Sequence, residues 1–344
     1  MRLGLVGYGT GGKNFHAPFI EAAEGVELVG IVARSKDKVA AARADFPNLP
    51  IYKSLTSMIA STELDAVTIT TPPHTRRGLV MEAIDAGLHV VADKPFAPNA
   101  AIAQEMADAA SKSGVLLSVF HNRRFDTDIV TLNKTIQSGK LGKLWRLQSR
   151  FDLNDAATLE VGPEGGLLRD LGSHVVDQAI FLLGPVKSVY ANMDDLELPE
   201  GRTNVSFSIT MNHLSGAHSH VSASKINYIE AKELIVYAEN GSYFSQATDV
   251  QAQDIFAGRR PVENLSTWGF QGRDNWATLN TPTGSERVPS EQGRYHDYYT
   301  QFAKAVAQGT PLPVTTDEAI QVLKVLDAAL LSARNNQVIE LGSS

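Results

Sequence analysis

Short apolar runs alternate with amphipathic segments along the first third of the chain. Between the runs, segments such as 36–46 and 76–86 place apolar residues at helical spacing with charged residues opposite. Continuous apolar runs predict parallel strands that are buried on both faces, and their alternation with helices predicts a doubly wound α/β sheet. The runs are RLGLV, ELVGIV, DAVTIT, HVVA and LLSVF.

The pattern changes after about residue 120. Helical periodicity at roughly 126–138 and 172–183 is followed by longer runs with strand character. Successive strands separated by turn residues predict a mostly antiparallel sheet. Residues 250–295 are rich in Gly, Pro, Asn and Arg and are expected to form loops. The strand-like runs are KLWRLQSRF, TNVSFSITMN, AHSHVSASK and KELIVYAE.

Length and patterning together predict two domains. A chain of 344 residues with 43% hydrophobic residues can fill two cores of ordinary size. The expected division is 1–120 and 121–344. A closing segment at about 316–335 has an N-cap Thr and apolar residues at helical spacing, so it predicts a helix of the second domain that can also pack back on the first.

Composition excludes several classes of partner and chemistry. The net charge of −7 and the lack of a long basic run argue against nucleic acid or an anionic membrane surface as partner. Zero cysteines exclude disulfides, thiolate zinc sites and thiol nucleophiles. No apolar stretch reaches the roughly 18 residues of a spanning helix, and the first residues resemble a strand rather than a signal peptide. The expectation is a soluble cytoplasmic protein that acts on a small molecule.

A glycine-rich stretch, GYGTGG, follows the first predicted strand and precedes a predicted helix. In such a motif the first glycine permits a tight turn, the second lets the backbone approach a pyrophosphate, and the third lets helix and strand pack closely. Because strand, motif, helix and second strand occur in this order, the sequence favours a Rossmann dinucleotide site over a simple Gly-rich turn. The candidate residues are Gly7, Tyr8, Gly9, Thr10, Gly11 and Gly12.

The end of the second strand indicates which dinucleotide binds. An acidic residue there would accept the ribose hydroxyls of NAD, but Ala33 stands in that place and is followed by Arg34 and Ser35. Without a carboxylate a 2′-phosphate meets no repulsion, and an arginine can form charge-assisted bonds to it. The sequence therefore favours NADP(H) and leaves NAD(H) open. The alternative is an exposed arginine in a βα loop.

Polar residues also collect at the predicted carboxyl ends of the later strands, where open α/β sheets bind ligands. VVADKPF places Asp93 and Lys94 there, and a lysine before proline is held extended and can be aimed into a cleft. SVFHNRRFD adds His121 and Asn122, followed by two arginines. Several polar groups are therefore expected to converge at one edge.

The stretch LRDLGSHVVD sets Asp170 and His174 four residues apart in an otherwise apolar sequence. On a helix, residues at this spacing lie on one face. They can then both point at a substrate hydroxyl. The alternative is a helix-capping Asp170 and a satisfied core histidine.

Together these motifs resemble the Gfo/Idh/MocA oxidoreductases, named for glucose–fructose oxidoreductase and inositol dehydrogenase. Within the family the chain is most similar to the NADP-dependent scyllo-inositol dehydrogenase-like branch. The resemblance implies a Rossmann domain followed by an α/β domain whose large, open, mostly antiparallel sheet forms a homodimer or homotetramer interface. The segments that carry it span nearly the whole chain: GYGTGG, FHAPFI, VVADKPF, LLSVFHNRRFD, DLGSHVVDQA and LPVTTDEAIQVL.

The resemblance also implies roles. Lys94 corresponds to the lysine of the Glu/Asp-Lys-Pro motif, and Asp170 and His174 to the Asp-x-x-x-His pair. Alcohol oxidation needs a base for the hydroxyl proton and a positive group for the developing alkoxide. His174 is therefore expected to be the base, Lys94 to hold the reacting oxygen, and Asp170 to bind a neighbouring hydroxyl, although members of the family differ over whether lysine or histidine exchanges the proton.

Further contacts are assigned in the same way. The expected cofactor contacts, besides the glycine motif, are Arg34, Ser35, Thr71, Pro72, His74, Asp93, Lys94 and Asn122. The expected substrate contacts are His121, Arg123, Arg124, Arg169 and Trp268. For Trp268 an apolar platform under a sugar ring and a plain packing role are equally expected.

The chain departs from this branch around the substrate. RFDLNDAATLEVGPEGG replaces an arginine-rich segment, Arg169 stands where tyrosine is usual, and Arg76 replaces a histidine. These departures alter the expected substrate pocket and leave the fold unchanged. The expected substrate is a secondary alcohol or ketone of an inositol, sugar or related polyol.

Two other functions stay open, because one fold serves many functions. A sensor would bind NADP(H) without turnover, and a glycosidase of this fold would use retained NAD for transient oxidation. Keeping Lys94, Asp170 and His174 together argues against the sensor. His218 and His220 share one strand face, which suits a metal only if further ligands converge there. Asp170, His174 and His121 could also bind a divalent ion, but Lys94 supplies the positive charge that this chemistry would need, so no metal is predicted.

Overall fold

The computed structural model describes residues 1–161, 165–199, 201–246 and 248–342, and the chain divides into two compact units. The first unit consists of Met1–Asn122, Gln251–Trp268 and Arg294–Ile320, and the second of Arg123–Val250, Gly269–Gly293 and Gln321–Ser344. The division differs from the expected single boundary near residue 120, because the chain returns twice to the first unit. Hydrophobic periodicity shows that a helix has a buried face, but it does not show which sheet that face covers.

Six parallel strands form the sheet of the first unit, in the order β3-β2-β1-β4-β5-β6. This order reverses between β1 and β4, which is the position where doubly wound sheets bind their ligands. Buried aliphatic side chains such as Leu5, Val67 and Val90 fill both faces of the sheet. The predicted doubly wound sheet is confirmed. The strands are β1 (Arg2–Val6), β2 (Glu27–Val32), β3 (Ile51–Tyr52), β4 (Ala66–Ile69), β5 (His89–Asp93) and β6 (Leu117–Phe120).

Helices connect these strands. A π-helical turn, Gly11–His16, leads from β1 into the first α-helix. Asn99 caps the last of the five helices, since its side chain accepts from the Ile102 N–H at 3.0 Å, and Gly114 ends that helix with a φ of 68°. The helices are α1 (Ala17–Glu21), α2 (Lys36–Asp45), α3 (Leu55–Ile59), α4 (Pro73–Asp85) and α5 (Ala100–Ser113).

Nine strands form the sheet of the second unit, in the order β14-β13-β12-β11-β7-β10-β9-β8-β15. The pair β7 and β10 is parallel and the other neighbours are antiparallel, which confirms the predicted mostly antiparallel sheet. The strands are β7 (Leu144–Asn154), β8 (Val186–Leu198), β9 (Gly201–His213), β10 (His218–Ser224), β11 (Ile226–Ala238), β12 (Gly241–Gln246), β13 (Ala277–Thr281), β14 (Gly284–Val288) and β15 (Ile339–Glu340).

The two faces of this sheet differ. One face carries the buried side chains of Leu147, Phe207 and Val236, and α7 (Ser173–Leu183) contacts β7 and β10 of this sheet. The helix α6 (Thr127–Gln137) precedes β7 in the chain. The other face is polar and half exposed. The self-association implied by the family resemblance stays a prediction, as does the cytoplasmic location. Throughout the described ranges, no helix is long and apolar enough to cross a membrane.

The segment 250–295 was expected to form loops, and this expectation is wrong in part. It contains α8 (Val250–Phe256) and the hairpin of β13 and β14. The hairpin lies at the edge of the sheet and β14 is largely exposed, so its sequence shows no apolar run. Edge strands with polar side chains avoid unwanted pairing, and the same polarity hides them from a hydrophobicity pattern.

The remaining helices are α9 (His296–Gln308) and α10 (Thr316–Asn335). Thr315 and Glu318 form a capping box at the start of α10, where the Thr315 N–H donates to the Glu318 carboxylate at 2.8 Å. From Gln321 onward this helix belongs to the second unit, and the Ser332 hydroxyl accepts from the Ala191 N–H of β8 at 2.9 Å. Only its first turn lies in the first unit.

The turn after β1 depends on two glycines. Gly7 has a φ of +106°, a value that L side chains rarely adopt. A Cβ on Gly12 would lie 2.2 Å from the Gly7 carbonyl oxygen. The helical segment therefore passes directly over the end of β1, which only glycine permits.

We expect Gly12→Ala to lower the free energy of unfolding by more than about 2 kcal/mol, because the added methyl group cannot be accommodated beside a backbone carbonyl. The matched control is Gly78→Ala in α4, where an added Cβ meets nothing within 4 Å. That change should be neutral or stabilise by up to about 1 kcal/mol. Urea unfolding of both variants checks this, and a wild-type midpoint for Gly12→Ala would contradict the packing described.

Candidate functional site

The glycine loop presents an open backbone surface. Among the described residues, a Cβ on Gly9 would meet only the Lys38 amine, at 3.7 Å. A Cβ on Gly11 would lie 3.1 Å from a carboxylate oxygen of Asp93. A tight turn at Gly7 with an uncovered Gly9 is the arrangement that lets a pyrophosphate approach the backbone, so the loop fits a dinucleotide.

Tyr8 belongs to the motif, but its side chain points into the protein. It is 3% exposed, and its hydroxyl donates to Asp45 Oδ2 at 2.8 Å, at the end of α2. Arg260 Nη2 lies 3.4 Å from the other Asp45 oxygen. Burial and the neighbouring Asp45 raise the pKa of the Tyr8 hydroxyl, so it stays a protonated donor. Tyr8 therefore anchors the loop, and any cofactor contact falls to its backbone.

The loop between β2 and α2 is basic and exposed. Ala33 is buried at the end of β2, and Arg34 and Ser35 are exposed. Ser35 is the N-cap residue of α2, and Lys38 lies in the first turn of that helix. Its amine is the group nearest to a Cβ built on Gly9, at 3.7 Å, so Lys38 adds a positive charge beside the glycine loop. Lys38 was not singled out in the sequence.

Asp93 ends β5 and is surrounded by donors. Its Oδ1 accepts from the Lys94 backbone N–H at 2.8 Å and lies 3.3 Å from His16 Nε2. Burial by itself raises the pKa of the Asp93 carboxyl. The opposing effects of His16, Arg76 and Lys94 together are larger, so the pKa falls to about 2. Asp93 is therefore an anion that fixes the backbone of the Lys94 loop.

His16 was not singled out in the sequence beyond its place in FHAPFI. It is fully buried, its Nδ1 lies 2.5 Å from the Tyr299 hydroxyl, and its ring packs on Phe120. Burial raises the pKa of Tyr299 well above its ordinary value. His16 thus links Asp93 to the interior of the first unit.

At the same edge of the sheet lie the remaining cofactor candidates together with the substrate candidate His121. Thr71, Pro72 and His74 follow β4, with Thr71 half buried and the other two exposed. His121 and Asn122 follow β6 and are buried. Carboxyl ends of parallel strands meet at one edge, so the first unit collects these groups beside the glycine loop.

Asp170 and His174 do not share one regular α-helix as their spacing suggests. Asp170 lies in a π-helical turn, Leu168–Gly172, and His174 is the second residue of α7. The two residues are therefore not related by regular α-helical spacing, because a π-turn has a different period, and their shared face stays a prediction. Such turns recur at functional sites. Both residues belong to the second unit, whereas Lys94 belongs to the first.

Lys225 pairs with Asp170. Its Nζ donates to Asp170 Oδ2 at 2.8 Å and to the Thr158 carbonyl oxygen at 3.0 Å, and the residue is 4% exposed. Lys225 directly follows the last residue of β10, and the sequence SASK at this point resembles an ordinary strand end. No signal in the sequence could have found it, because a lysine after a strand is usually a surface charge.

Two of the predicted substrate contacts, Arg123 and Arg124, form buried ion pairs, and their contact with a substrate stays a prediction. Arg124 donates to both carboxylate oxygens of Asp177, with its Nη2 at 2.7 Å from Oδ1. Arg123 Nη2 lies 2.6 Å from Asp249 and its Nη1 lies 3.2 Å from Asp126. These guanidinium groups organise the turn after β6 and the start of α6.

Two of the other three substrate candidates, Trp268 and Arg169, have contacts within their own units. Trp268 is 4% exposed, and its indole N–H donates to Gln251 Oε1 at 3.0 Å while its ring meets Phe19 edge on. These contacts fit the packing role, and a contact of Trp268 with a sugar ring stays a prediction. Arg169 is half buried, with Nη2 at 3.6 Å from Asp327.

The segment RFDLNDAATLEVGPEGG contains β7 residues and a short 3₁₀ turn, Ala156–Thr158, whose Thr158 carbonyl contacts Lys225. Its residues 162–164 lie outside the described residues. His218 and His220 lie on the half-exposed face of the large sheet with their rings edge to face. In the part of the chain that the structure describes, no three His, Asp or Glu side chains are grouped to hold a metal.

A Rossmann unit with a glycine cradle defines an NAD(P)-binding protein, and comparison with known proteins identifies its family. Residues 1–121 match the oxidoreductase family with the NAD-binding Rossmann fold, and residues 129–244 match the GFO/IDH/MocA C-terminal domain. The chain belongs to the Gfo/Idh/MocA family and is an oxidoreductase of the NAD(P)-dependent dehydrogenase class.

Similar proteins cover the full length. The chain is 29% identical to scyllo-inositol 2-dehydrogenase (NADP(+)) IolW of Bacillus subtilis strain 168, over 99% of this chain and 96% of that protein. It is 32% identical to the oxidoreductase YdgJ of Escherichia coli K12, over 98% of each. The solved structure of the oxidoreductase yvaA from Bacillus subtilis superposes with a TM-score of 0.90 at 29% identity, over 99% of this chain and 100% of that one.

We expect loss of either member of the Asp170–Lys225 pair to be costly, because the remaining charge stays largely buried. Lys225→Met and Asp170→Asn should each lower the free energy of unfolding by about 2–3 kcal/mol, and the double variant should lose less than the sum. Urea unfolding of the full cycle measures the coupling. The exposed pair of Arg202 and Asp195 supplies the control, since Arg202→Met should leave the midpoint nearly unchanged. Additive losses at Asp170 and Lys225 would contradict the pairing.

Proposed function

We propose that the protein transfers a hydride between NADP(H) and a secondary alcohol or ketone of an inositol, sugar or related polyol. One observation carries the proposal: the glycine loop adjoins the loop that bears Lys94, since a Cβ on Gly11 would lie 3.1 Å from Asp93. The place for a pyrophosphate and the candidate hydrogen-bond donor Lys94 therefore share one edge of the sheet. The names of two relatives, scyllo-inositol 2-dehydrogenase (NADP(+)) and D-xylose 1-dehydrogenase (NADP(+)) 2, support the class of substrate.

The cofactor would be held by the glycine loop and by the basic loop after β2. Backbone groups at Gly9 would face the pyrophosphate, and Arg34 with Lys38 would face the 2′-phosphate. The bound nicotinamide supplies the hydride acceptor in oxidation and the donor in reduction. Side chains of the protein would then exchange the hydroxyl proton and stabilise the negative charge on the reacting oxygen.

Each candidate catalytic residue has a distinct role. Lys94 would donate a hydrogen bond to the reacting oxygen and stabilise the negative charge that develops there. His174 would take the hydroxyl proton in oxidation and return it in reduction, since histidine can carry either form near neutral pH. Asp170 would accept from a neighbouring hydroxyl of the substrate, held in place by Lys225.

Turnover of a substrate panel tests the proposal. NADP⁺ and NAD⁺ reduction would be followed by nicotinamide absorbance with inositols, aldoses and anhydrosugars, and NADPH oxidation with keto-sugars. We expect NADP(H)-dependent turnover of a cyclic polyol or sugar. Tight NADPH binding without turnover across the panel would favour a sensor. Hydrolysis of a glycoside with retained NAD would favour the glycosidase.

Lys94→Ala should lower kcat about 10²- to 10³-fold, because the reacting oxygen loses its charged donor. NADPH affinity, measured by fluorescence titration, should change less than about threefold. Lys112→Ala removes an exposed lysine of α5 and should leave both quantities unchanged. Wild-type kcat in Lys94→Ala would remove Lys94 from the mechanism.

Arg34→Ala should raise the Kd for NADPH about 10- to 100-fold, since one charge-assisted bond to the 2′-phosphate contributes about 1.5–3 kcal/mol. NADH lacks that phosphate, so its Kd should change less than about threefold. Arg43→Ala, at an exposed position near the end of α2, is the matched control. Titration of each variant with both cofactors measures this. Equal weakening of NADPH and NADH would contradict a role for Arg34 in recognising the phosphate.

A further inference from the structure

Arg76 is a buried arginine in the first turns of α4. It is 3% exposed, and its side chain contacts backbone oxygens. Its Nε donates to the Thr71 carbonyl at 2.6 Å. Its Nη1 donates to the Asp93 carbonyl at 2.5 Å and also to the Pro95 carbonyl. The sequence placed Arg76 among the departures that alter the substrate pocket, whereas here it binds the protein's own main chain.

These contacts join two loops at the carboxyl edge of the sheet. Thr71 belongs to the loop after β4, and Asp93 and Pro95 flank Lys94 in the loop after β5. A single guanidinium nitrogen therefore holds the carbonyl groups on both sides of Lys94. The same guanidinium approaches the Asp93 carboxylate, with Nη2 at 3.6 Å from Oδ2. The backbone that carries Lys94 is fixed from both directions.

We propose that Arg76 is a positioning residue that sets the place of Lys94 relative to the cofactor loop after β4. This inference rests on the proposed role of Lys94 in catalysis. Displacing a reacting group by about 1 Å can lower a rate about 10²-fold, so a clamp on the backbone of Lys94 matters for turnover. In this role Arg76 acts through the backbone on either side of Lys94.

The chemistry of the contacts requires an arginine. Guanidinium is planar and permanently charged and carries five N–H donors in a fixed fork, whereas lysine presents one compact ammonium. Three carbonyl groups and one carboxylate lie around Arg76 in different directions. A lysine could neutralise the carboxylate, but it could not reach all three carbonyls together.

The neighbouring arginine supplies a matched control. Arg77 is also in α4, but it is 49% exposed and pairs with Glu105 at the surface. Its removal changes the same helix by the same side-chain deletion and leaves the two loops alone. Comparison of Arg76 and Arg77 variants therefore separates positioning of Lys94 from a general effect on α4.

The first test compares kcat with NADPH affinity. We expect Arg76→Met to lower kcat about 10²-fold with less than about threefold change in the Kd for NADPH, and Arg77→Met to stay within about twofold of wild type in both. Arg76→Lys should fold, and its kcat should lie between those of Arg76→Met and Arg77→Met. In Arg76→Ala, millimolar guanidinium should restore part of kcat and methylammonium should not. Wild-type kcat in Arg76→Lys and Arg76→Met would overturn the proposal, as would rescue by both cations alike.

A second test does not depend on turnover, so it holds even where the proposed function fails. Hydrogen exchange of the amides in 91–97 and 70–75 should quicken in Arg76→Lys relative to wild type, with exchange elsewhere unchanged. An amine-reactive ester acylates Lys94, and mass spectrometry measures the rate. In Arg76→Lys this rate should differ from that of the wild type. Arg77→Met should change neither. Unaltered exchange and labelling in Arg76→Lys would overturn the positioning role of Arg76. If the wild type shows no turnover but exchange quickens in Arg76→Lys, only the proposed function is overturned.

Discussion

The loops after the parallel strands contain backbone carbonyl groups that need hydrogen-bond donors, and in this protein a buried arginine bonds three of them. Arg76 donates to the carbonyls of Thr71, Asp93 and Pro95. Unpaired carbonyls at this depth would each cost free energy comparable to a lost hydrogen bond. The loop that carries Lys94 therefore takes a defined shape because a charged side chain completes its hydrogen bonds.

The second unit uses the same device at its own candidate site. Lys225 bridges the Thr158 carbonyl and the Asp170 carboxylate, much as Arg76 bridges carbonyls and Asp93. In each unit the buried cation stands next to a residue with a proposed catalytic role. Pairing with an anion removes the main penalty of burying such a charge. Both candidate catalytic segments are thus held by a cation and an anion together.

Local patterns in the sequence predict most of the parallel sheet but not the contacts of the buried cations. Continuous apolar runs located five of the six parallel strands, and the glycine spacing located the turn at Gly7, because both signals are local. The two-residue strand β3 and the polar edge hairpin of β13 and β14 carry no such signal. The sequence assigns Arg76 to the substrate pocket and gives no signal for Lys225, since burial of a charged residue depends on contacts with segments distant in sequence. The same limit applies to Arg124, whose partner Asp177 lies 53 residues further on.

Buried ion pairs are weak evidence for stability, because desolvation offsets much of their attraction, and apolar replacements of similar volume can be equally stable. What an apolar side chain cannot replace is the direction of each bond. The fork of Arg76 fixes three carbonyls at set angles, and Lys225 fixes one oxygen of Asp170. An enzyme that must hold a donor and a carboxylate to within a fraction of an ångström gains from such directional contacts even where the fold does not. The geometry of these groups, more than the free energy of unfolding, is therefore the property that the two buried cations maintain.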